Sequence, residues 1–349
     1  MIHVGLDMHK HFSKIETMDG SGRVLQKVTL FHDNKDEIHR FFHSLDKPAT
    51  VAMEATRSWY WLYELMVEEE MEVKLAHPLK TKLIGEAKIK TDSIDAHVLA
   101  QLERTGFLPE AYVPSKSLRE QRELLRYRLL LVLTRVRFKN RIHDIIDKLG
   151  IVHPYSDLFG TRGIAFLQSL SLPGLYQEEL HRCLELLHFL DQKILEAEKD
   201  MKSILKEDPR AKLLMTIPGV SHLTAYLLLC EIGDINRFPS SEKLCAYGGL
   251  IPSTHQSGEK AYHGSITKEG NRYIRWALAE AAQKASRKDP ALFVFYEKLK
   301  RNKGSGIALV AVARKLLTAV YHILMKGEPY RYRPIDKHYS GKPVGLSDH

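Results

Sequence analysis

Cysteine is scarce in this 349-residue chain. Cys183, Cys230 and Cys245 are its three, set in apolar helical contexts without metal-ligand spacing. That excludes a disulfide framework and predicts free, buried thiols in a reducing, cytoplasmic compartment. Long apolar runs are missing as well: Leu129–Leu133 meets Thr134 and Arg135, and Ala225–Cys230 meets Glu231. None approaches the roughly 18–20 residues of a spanning helix, so no membrane role is expected. The opening residues, Met1-Ile2-His3-Val4-Gly5-Leu6-Asp7, lack a basic stretch followed by a long apolar one, and no signal peptide is expected. Acidic charge is in the minority, with 43 Asp+Glu against 52 Lys+Arg and a formal net charge of +9. The excess favours an anionic partner, nucleic acid first. Hydrophobic residues at 44% and charged residues at 27% exclude a mostly disordered chain. The length suits two or three domains.

The patterning divides the chain into 1–114, 115–206, 207–330 and an irregular Tyr-, Arg-, Pro- and Gly-rich tail at 331–349. The first part alternates strand-like and helix-like segments. Strands are predicted at Ile2–Leu6, Ser13–Met18, Val24–Phe31, Thr50–Glu54 and Glu72–Ala76. Asn34 is placed to cap a helix carrying Ile38, Phe41, Phe42 and Leu45, and further helices are predicted at Ser58–Glu69 and Asp92–Arg104. The order βββαβαβα is that of a ribonuclease-H-like fold, a mixed sheet flanked by helices. In the second part Leu180, Leu187, Ile194 and Met201 recur every seven residues, with Cys183, Leu190, Ala197 and Ile204 three places later. That is a coiled-coil seam over four heptads; the Gly150–Gly174 stretch, with Pro154 and Pro173, would let this helix pair with the preceding one as a hairpin, and the seam also suits self-association. The preceding helix is basic. Arg135, Arg137, Lys139 and Arg141 form either a solvated face or a phosphate-tracking one. The third part is helical and punctuated by Gly and Pro.

Four carboxylates stand out by position: Asp7 ends the first strand, Glu54 ends the fourth, and Asp92 and Asp95 share one face of a helix. In a ribonuclease-H-like sheet the first and fourth strands are neighbours. Clustered carboxylates there require a compensating cation, and hard oxygen ligands suit Mg²⁺ or Mn²⁺. Taken singly, each is equally well a turn, cap or dipole residue.

In the third part, Thr216-Ile217-Pro218-Gly219-Val220-Ser221 lies between two helical patterns and looks like a helix-hairpin-helix turn. Gly219 would let a DNA phosphate approach the backbone, or would simply turn the chain. A polar loop at Ser253–Lys260 follows, then Gly264–Asn271 leads into another helix. Ser257 before Gly258 either attacks a phosphodiester or bonds its own backbone. Lys260, Lys268, Arg272 and Arg275 would contact phosphates in both cases.

At these residues the chain resembles the transposases of the insertion-sequence family one-hundred-and-ten, in its eleven-eleven-like branch, related to the Piv DNA invertases. The resemblance is carried by Gly5-Leu6-Asp7-Met8-His9-Lys10, Met53-Glu54-Ala55-Thr56 and Lys90-Thr91-Asp92-Ser93-Ile94-Asp95-Ala96. It continues through Ile217-Pro218-Gly219-Val220 and from Ala246-Tyr247-Gly248-Gly249-Leu250-Ile251-Pro252 past Ser257-Gly258 to Gly270-Asn271-Arg272. It implies a RuvC-like DEDD nuclease domain with Asp7, Glu54, Asp92 and Asp95 as its set. It also implies a coiled-coil dimerisation domain and a C-terminal transposase domain whose serine falls on Ser257. The family often has Ser-Gly-Gly where Glu259 here follows Gly258, which leaves Ser253 and Ser265 as alternatives.

The implied activity is DNA transposition or recombination by a bacterial insertion sequence, with donor and target DNA, a structured guide RNA and a homodimer or tetramer as partners. Two other readings share parts of the evidence. A metal-dependent junction resolvase or invertase would use the carboxylates with water. A non-catalytic coiled-coil scaffold would explain the charge and leave the carboxylates unexplained.

Overall fold

The computed structural model describes the backbone of residues 1–56, 58–84, 92–257 and 260–332. Side chains are described throughout these except at 79, 82, 83, 92–94, 254–257, 260–263 and 265. The chain forms two compact units, Met1–Pro114 and Ser115–His349.

The first unit is built on strands β1 (Ile2–Met8), β2 (Phe12–Met18) and β3 (Val24–Phe31), helix α1 (Lys35–His43), β4 (Ala49–Glu54), α2 (Trp59–Glu68), β5 (Glu72–Ala76), α3 (Pro78–Ile84) and α4 (Asp92–Arg104). The sheet order is β3-β2-β1-β4-β5. The first three strands are antiparallel, and β4 and β5 add in parallel. This is the ribonuclease-H-like arrangement that the order of elements predicts. Strand alternation decides the faces. Val4 and Leu6 of β1 and Val51 and Met53 of β4 point to one side, where they bury against Ile38 and Phe42 of α1 and Leu62 and Met66 of α2. Asn34 caps α1 by accepting the Glu37 amide, and Glu37 takes the Asn34 side-chain amide in return at 2.9 Å. The opposite face carries His3, Gly5 and Asp7 and is covered by α4, whose Leu99 and Leu102 pack over Ala52.

The second unit begins with α5 (Lys116–Lys148), α6 (Thr161–Ser169) and α7 (Leu175–Lys206). Helix α6 occupies the stretch that composition reads only as a Gly- and Pro-containing break. Helices α5 and α7 pair antiparallel, as Arg128–Glu198, Arg135–Asp191 and Arg141–Glu179 show in succession. The heptad seam is real, but it is buried inside this hairpin. Leu180, Cys183 and Leu187 pack against Ile142, Ile146 and Leu167, and Leu190 and Ile194 pack against Leu131. The last heptad shifts by one: Leu205 is buried and Ile204 is 38% exposed. The seam therefore stabilises the chain's own fold and is not a free surface for self-association.

Helices α8 (Pro209–Met215), α9 (His222–Ile232) and α10 (Ser241–Tyr247) follow. Then come strands β6 (Pro252–Ser257) and β7 (Lys260–Ile266), and helices α11 (Arg272–Lys288), α12 (Pro290–Lys303) and α13 (Ser305–Lys326). Apolar α9 lies at the centre, buried from Ala225 to Ile232. Helix α13 is the one helix among the described residues long and apolar enough to cross a membrane. The sequence disguises it, because Arg314 and Lys315 interrupt its apolar run. Its Val312, Leu316, Leu317 and Val320 are fully or almost fully buried in the core shared with α9 and α11.

Candidate functional site

The first candidate site is built at the ends of β1 and β4. These strands pair in parallel up to Leu6–Met53, so Asp7 and Glu54 come one residue later on neighbouring strands. Alternation turns both away from the apolar core and onto the face beneath α4.

Gly5 explains how the helix reaches this face. A Cβ at Gly5 would lie 1.9 Å from the Ala96 carbonyl oxygen and 2.5 Å from the Ala100 nitrogen, so only glycine lets the helix backbone rest on the strand. His3, two residues earlier on the same face, bonds Glu103 near the far end of α4. The helix therefore runs antiparallel to β1, and its beginning, with Asp92 and Asp95, lies toward the strand end that carries Asp7. Asp95 is half-buried; the Asp92 side chain lies outside the described residues.

The surroundings of Asp7 include two residues that the motif reading assigned no role. His9 Nε2 lies 3.0 Å from Asp7 Oδ2, and its ring stacks on Phe12 at 4.6 Å. Lys14 pairs with Asp7 across the β1–β2 ladder and so shares its face. The spacing Asp-x-His after a strand was the available signal for the first, and counting back across the β1–β2 turn was the signal for the second.

Farther along this face the polar groups are matched. Glu103 takes His3 and Lys74, the latter at 3.3 Å, and Glu16 takes Lys27 at 2.8 Å and His97. Burial opposes the Lys74 ammonium, but the Glu103 hydrogen bond and nearby Glu72 and Glu110 outweigh it and hold its pKa above the usual lysine value.

Carboxylate oxygens such as those of Asp7 and Glu54 suit a hard divalent cation in general terms. Among the described residues, no three acidic, histidine or cysteine side chains converge as a ready-made metal cluster.

The second candidate site lies in the second unit. The segment read from sequence as a polar loop is a hairpin of β6 and β7, with Ser257 paired to Lys260 at its tip. The side chains of Ser257, Lys260 and Ser265 lie outside the described residues. Ser253 sits at the hairpin's base, against Gly264. Of the nearby cations, Lys268 and Arg272 are exposed, whereas Arg275 donates to the Gly248 carbonyl at 3.0 Å.

The remaining nucleic-acid candidates divide in the same way. Arg135 is bonded to Asp191, Arg141 to Glu179 and Asp144, and Lys139 lies over the Phe159 ring at 4.7 Å. Arg137 is exposed. Gly219 has φ +88°, and a Cβ there would lie 2.5 Å from the Ala281 carbonyl oxygen of α11. The turn between α8 and α9 thus gives Gly219 a packing reason.

Comparison with known proteins extends over most of the chain. Residues 4–151 match the family model described as a transposase, the DEDD domain of IS110 elements. Residues 211–297 match that of the transposase IS116/IS110/IS902 family. A probable family 20 transposase of Pseudomonas aeruginosa is 26% identical over 342 residues, covering 94% of this chain and 98% of that protein. The transposase for insertion sequence element IS1111A of Coxiella burnetii is 27% identical, covering 82% and 80%. A pilin gene-inverting protein of Moraxella bovis is 36% identical over 127 residues, covering 36% and 39%.

Proposed function

The chain belongs to the IS116/IS110/IS902 family of transposases, and we propose that it cuts and rejoins DNA with a carboxylate cluster and a serine nucleophile. The observation that carries this reading is the seating of α4 on Gly5. It directs the Asp92–Asp95 end of the helix toward the neighbouring strand ends of Asp7 and Glu54.

Asp7, Glu54, Asp92 and Asp95 would hold Mg²⁺ or Mn²⁺, which when bound supplies charge neutralisation at the scissile phosphate. Ser257 Oγ forms a bond to phosphorus and gives up its proton to solvent. The bond from phosphorus to the leaving strand oxygen breaks, and that oxygen takes a proton. The phosphodiester is conserved as a phosphoserine linkage, so the reverse step rejoins DNA without ATP. Lys260, Lys268 and Arg272 steady the phosphates on either side.

The two sites lie in different compact units, so the reaction requires both units, from one chain or from two. A homodimer or tetramer would supply them. Since the heptad seam is buried, association would use exposed apolar residues flanking it, such as Leu130 and Leu133 of α5 and Phe189 and Leu195 of α7. The net charge of +9 supports binding of donor and target DNA together with a structured guide RNA in the bacterial cytoplasm.

The test is a stalled reaction denatured and probed for DNA joined to protein. Wild type should give an adduct at Ser257, and Ser257→Ala should lose adduct and recombination together. Nicked DNA without adduct in both proteins would replace this reading with water-driven hydrolysis. An adduct at Ser253 or Ser265 would move the nucleophile to that residue.

A further inference from the structure

Glu231 is a carboxylate only 2% exposed, at the end of the apolar helix α9. Its Oε2 accepts the Asn271 side-chain amide at 2.7 Å. Arg122 Nε lies 3.9 Å from the same oxygen, and Arg126 Nη2 lies 4.0 Å from Oε1. Arg122 also donates to the carbonyls of Cys230 and Glu231, at 2.8 and 3.1 Å. A buried ion pair of this kind contributes little net stability compared with apolar packing, so its stronger effect is to fix geometry.

What it fixes is the base of the β6–β7 hairpin. Asn271 uses its other side-chain atom, Oδ1, to cap α11 by accepting the Tyr273 and Ile274 amides. Its own amide donates to the Tyr247 carbonyl at 2.7 Å, while the Tyr247 hydroxyl donates to the Glu231 carbonyl at 3.2 Å. The chain on either side of the hairpin is thereby gathered onto Glu231. Residues 247–251 lead into β6, residues 267–271 lead out of β7, and the Thr267 amide bonds the Ile251 carbonyl where the two meet. Gly270 has φ +117°, and a Cβ there would lie 2.4 Å from the Tyr247 carbonyl oxygen, so the position takes only glycine.

We propose that Glu231 and Asn271 are positioning residues for the serine hairpin. Together they hold its base against α9 and α5 so that its tip meets the scissile phosphate in one orientation. The inference rests on the reading of Ser257 as nucleophile. It adds two residues to the reaction that touch neither DNA nor the reacting atoms.

The test exchanges donor and acceptor. Asn271→Asp sets two carboxylates against each other but keeps the helix cap. Glu231→Gln removes the charge. The double variant restores one hydrogen bond with its polarity reversed. Adduct formation at saturating DNA should slow by about 100-fold in Asn271→Asp, the scale of a misplaced reacting group, while DNA affinity stays within about threefold. The double variant should recover to within roughly fivefold of wild type, a coupling that independent sites do not show. Amide hydrogen exchange across residues 252–266 should accelerate in Asn271→Asp and slow again in the double variant.

Wild-type adduct rates in both single variants would overturn the proposal, as would a folded double variant that fails to recover. If wild type itself forms no adduct, the serine reading fails. The exchange measurement then decides the anchoring by itself, and unchanged hairpin exchange in Asn271→Asp would overturn it.

Discussion

Asp7 and Glu54 follow the last paired step, Leu6–Met53, of two parallel strands and turn to the same face of the sheet. Asp7 also holds His9 at 3.0 Å, and in the proposed reading the two carboxylates would share a cation. Asp7→Asn and Glu54→Gln should therefore each cut strand cleavage by about 100-fold or more, the scale of lost electrostatic stabilisation at a reacting group. Their thermal midpoints should change little, because each variant keeps a side chain of the same shape with an oxygen that still accepts a hydrogen bond. Asp95→Asn should behave likewise. Cleavage at wild-type rate in two of the three would remove the cluster from the mechanism.

Metal removal gives a separate check. Chelation should stop cleavage, and Mg²⁺ or Mn²⁺ should restore it, because oxygen-only donors prefer hard cations. DNA binding, which rests on Lys and Arg, should survive chelation in a filter-binding or anisotropy measurement. Cleavage that persists after exhaustive chelation would contradict a metal at Asp7 and Glu54.

Gly5→Ala tests the seating of α4. The added methyl would meet the Ala96 carbonyl and Ala100 nitrogen, both backbone atoms that cannot rotate away. Overpacking of this kind costs about 1–3 kcal/mol, read as a lower midpoint in denaturant. Cleavage should fall further than the lost stability explains, because the Asp95 end of the helix is lifted from the strands. An unchanged midpoint would mean that α4 does not rest on β1 as described.

The ribonuclease-H-like sheet was legible because its strands alternate cleanly and its turns carry Gly, Asp and Asn. Asp7 and Glu54 could be paired from the order of elements alone. The β6–β7 hairpin was not legible. Pro252-Ser253-Thr254-His255-Gln256-Ser257 has no apolar alternation, so the sequence carries no period-two signal, while the structure pairs the segment with Lys260–Ile266. The heptads at Leu180–Met201 identified a seam and left its partner open between the preceding helix and another chain, since period seven reads the same in both cases; the structure pairs it with the preceding helix. Glu231 gave no signal, because a carboxylate following Leu-Leu-Leu-Cys looks like the end of a buried stretch, and its partners lie 109 residues earlier and 40 residues later.

The basic face of α5 should divide by partner. Arg135 and Arg141 are matched by acids of α7, so replacing either with Ala should lower the thermal midpoint slightly and leave nucleic-acid affinity nearly unchanged. Arg137 is exposed, and Arg137→Ala should weaken binding equally across sequences and reduce the salt slope by about one counterion. Equal losses of affinity at all three would show that the α5–α7 ion pairs open when nucleic acid binds.

The Glu103 cluster carries a pH prediction with a defined sign. Glu103 is buried on the sheet-facing side of α4, where it bonds His3 and Lys74. The Lys74 ammonium is held above its ordinary pKa, so its contribution to stability is complete below the unfolded lysine value of about 10.4. That contribution is lost as pH rises through the higher folded value. Glu103→Gln keeps the shape but removes the charge that favours the ammonium, and should cost about 1–3 kcal/mol at neutral pH, as for a weakened hydrogen bond to a charged group. The difference between wild type and variant should hold steady up to about pH 10 and then narrow, because Glu103 raises the lysine further in wild type than Glu72 and Glu110 do in the variant. Denaturant unfolding of both proteins from pH 7 to pH 11.5 reads this directly. A difference that stays constant across the whole range would mean that Lys74 does not draw its raised pKa from Glu103.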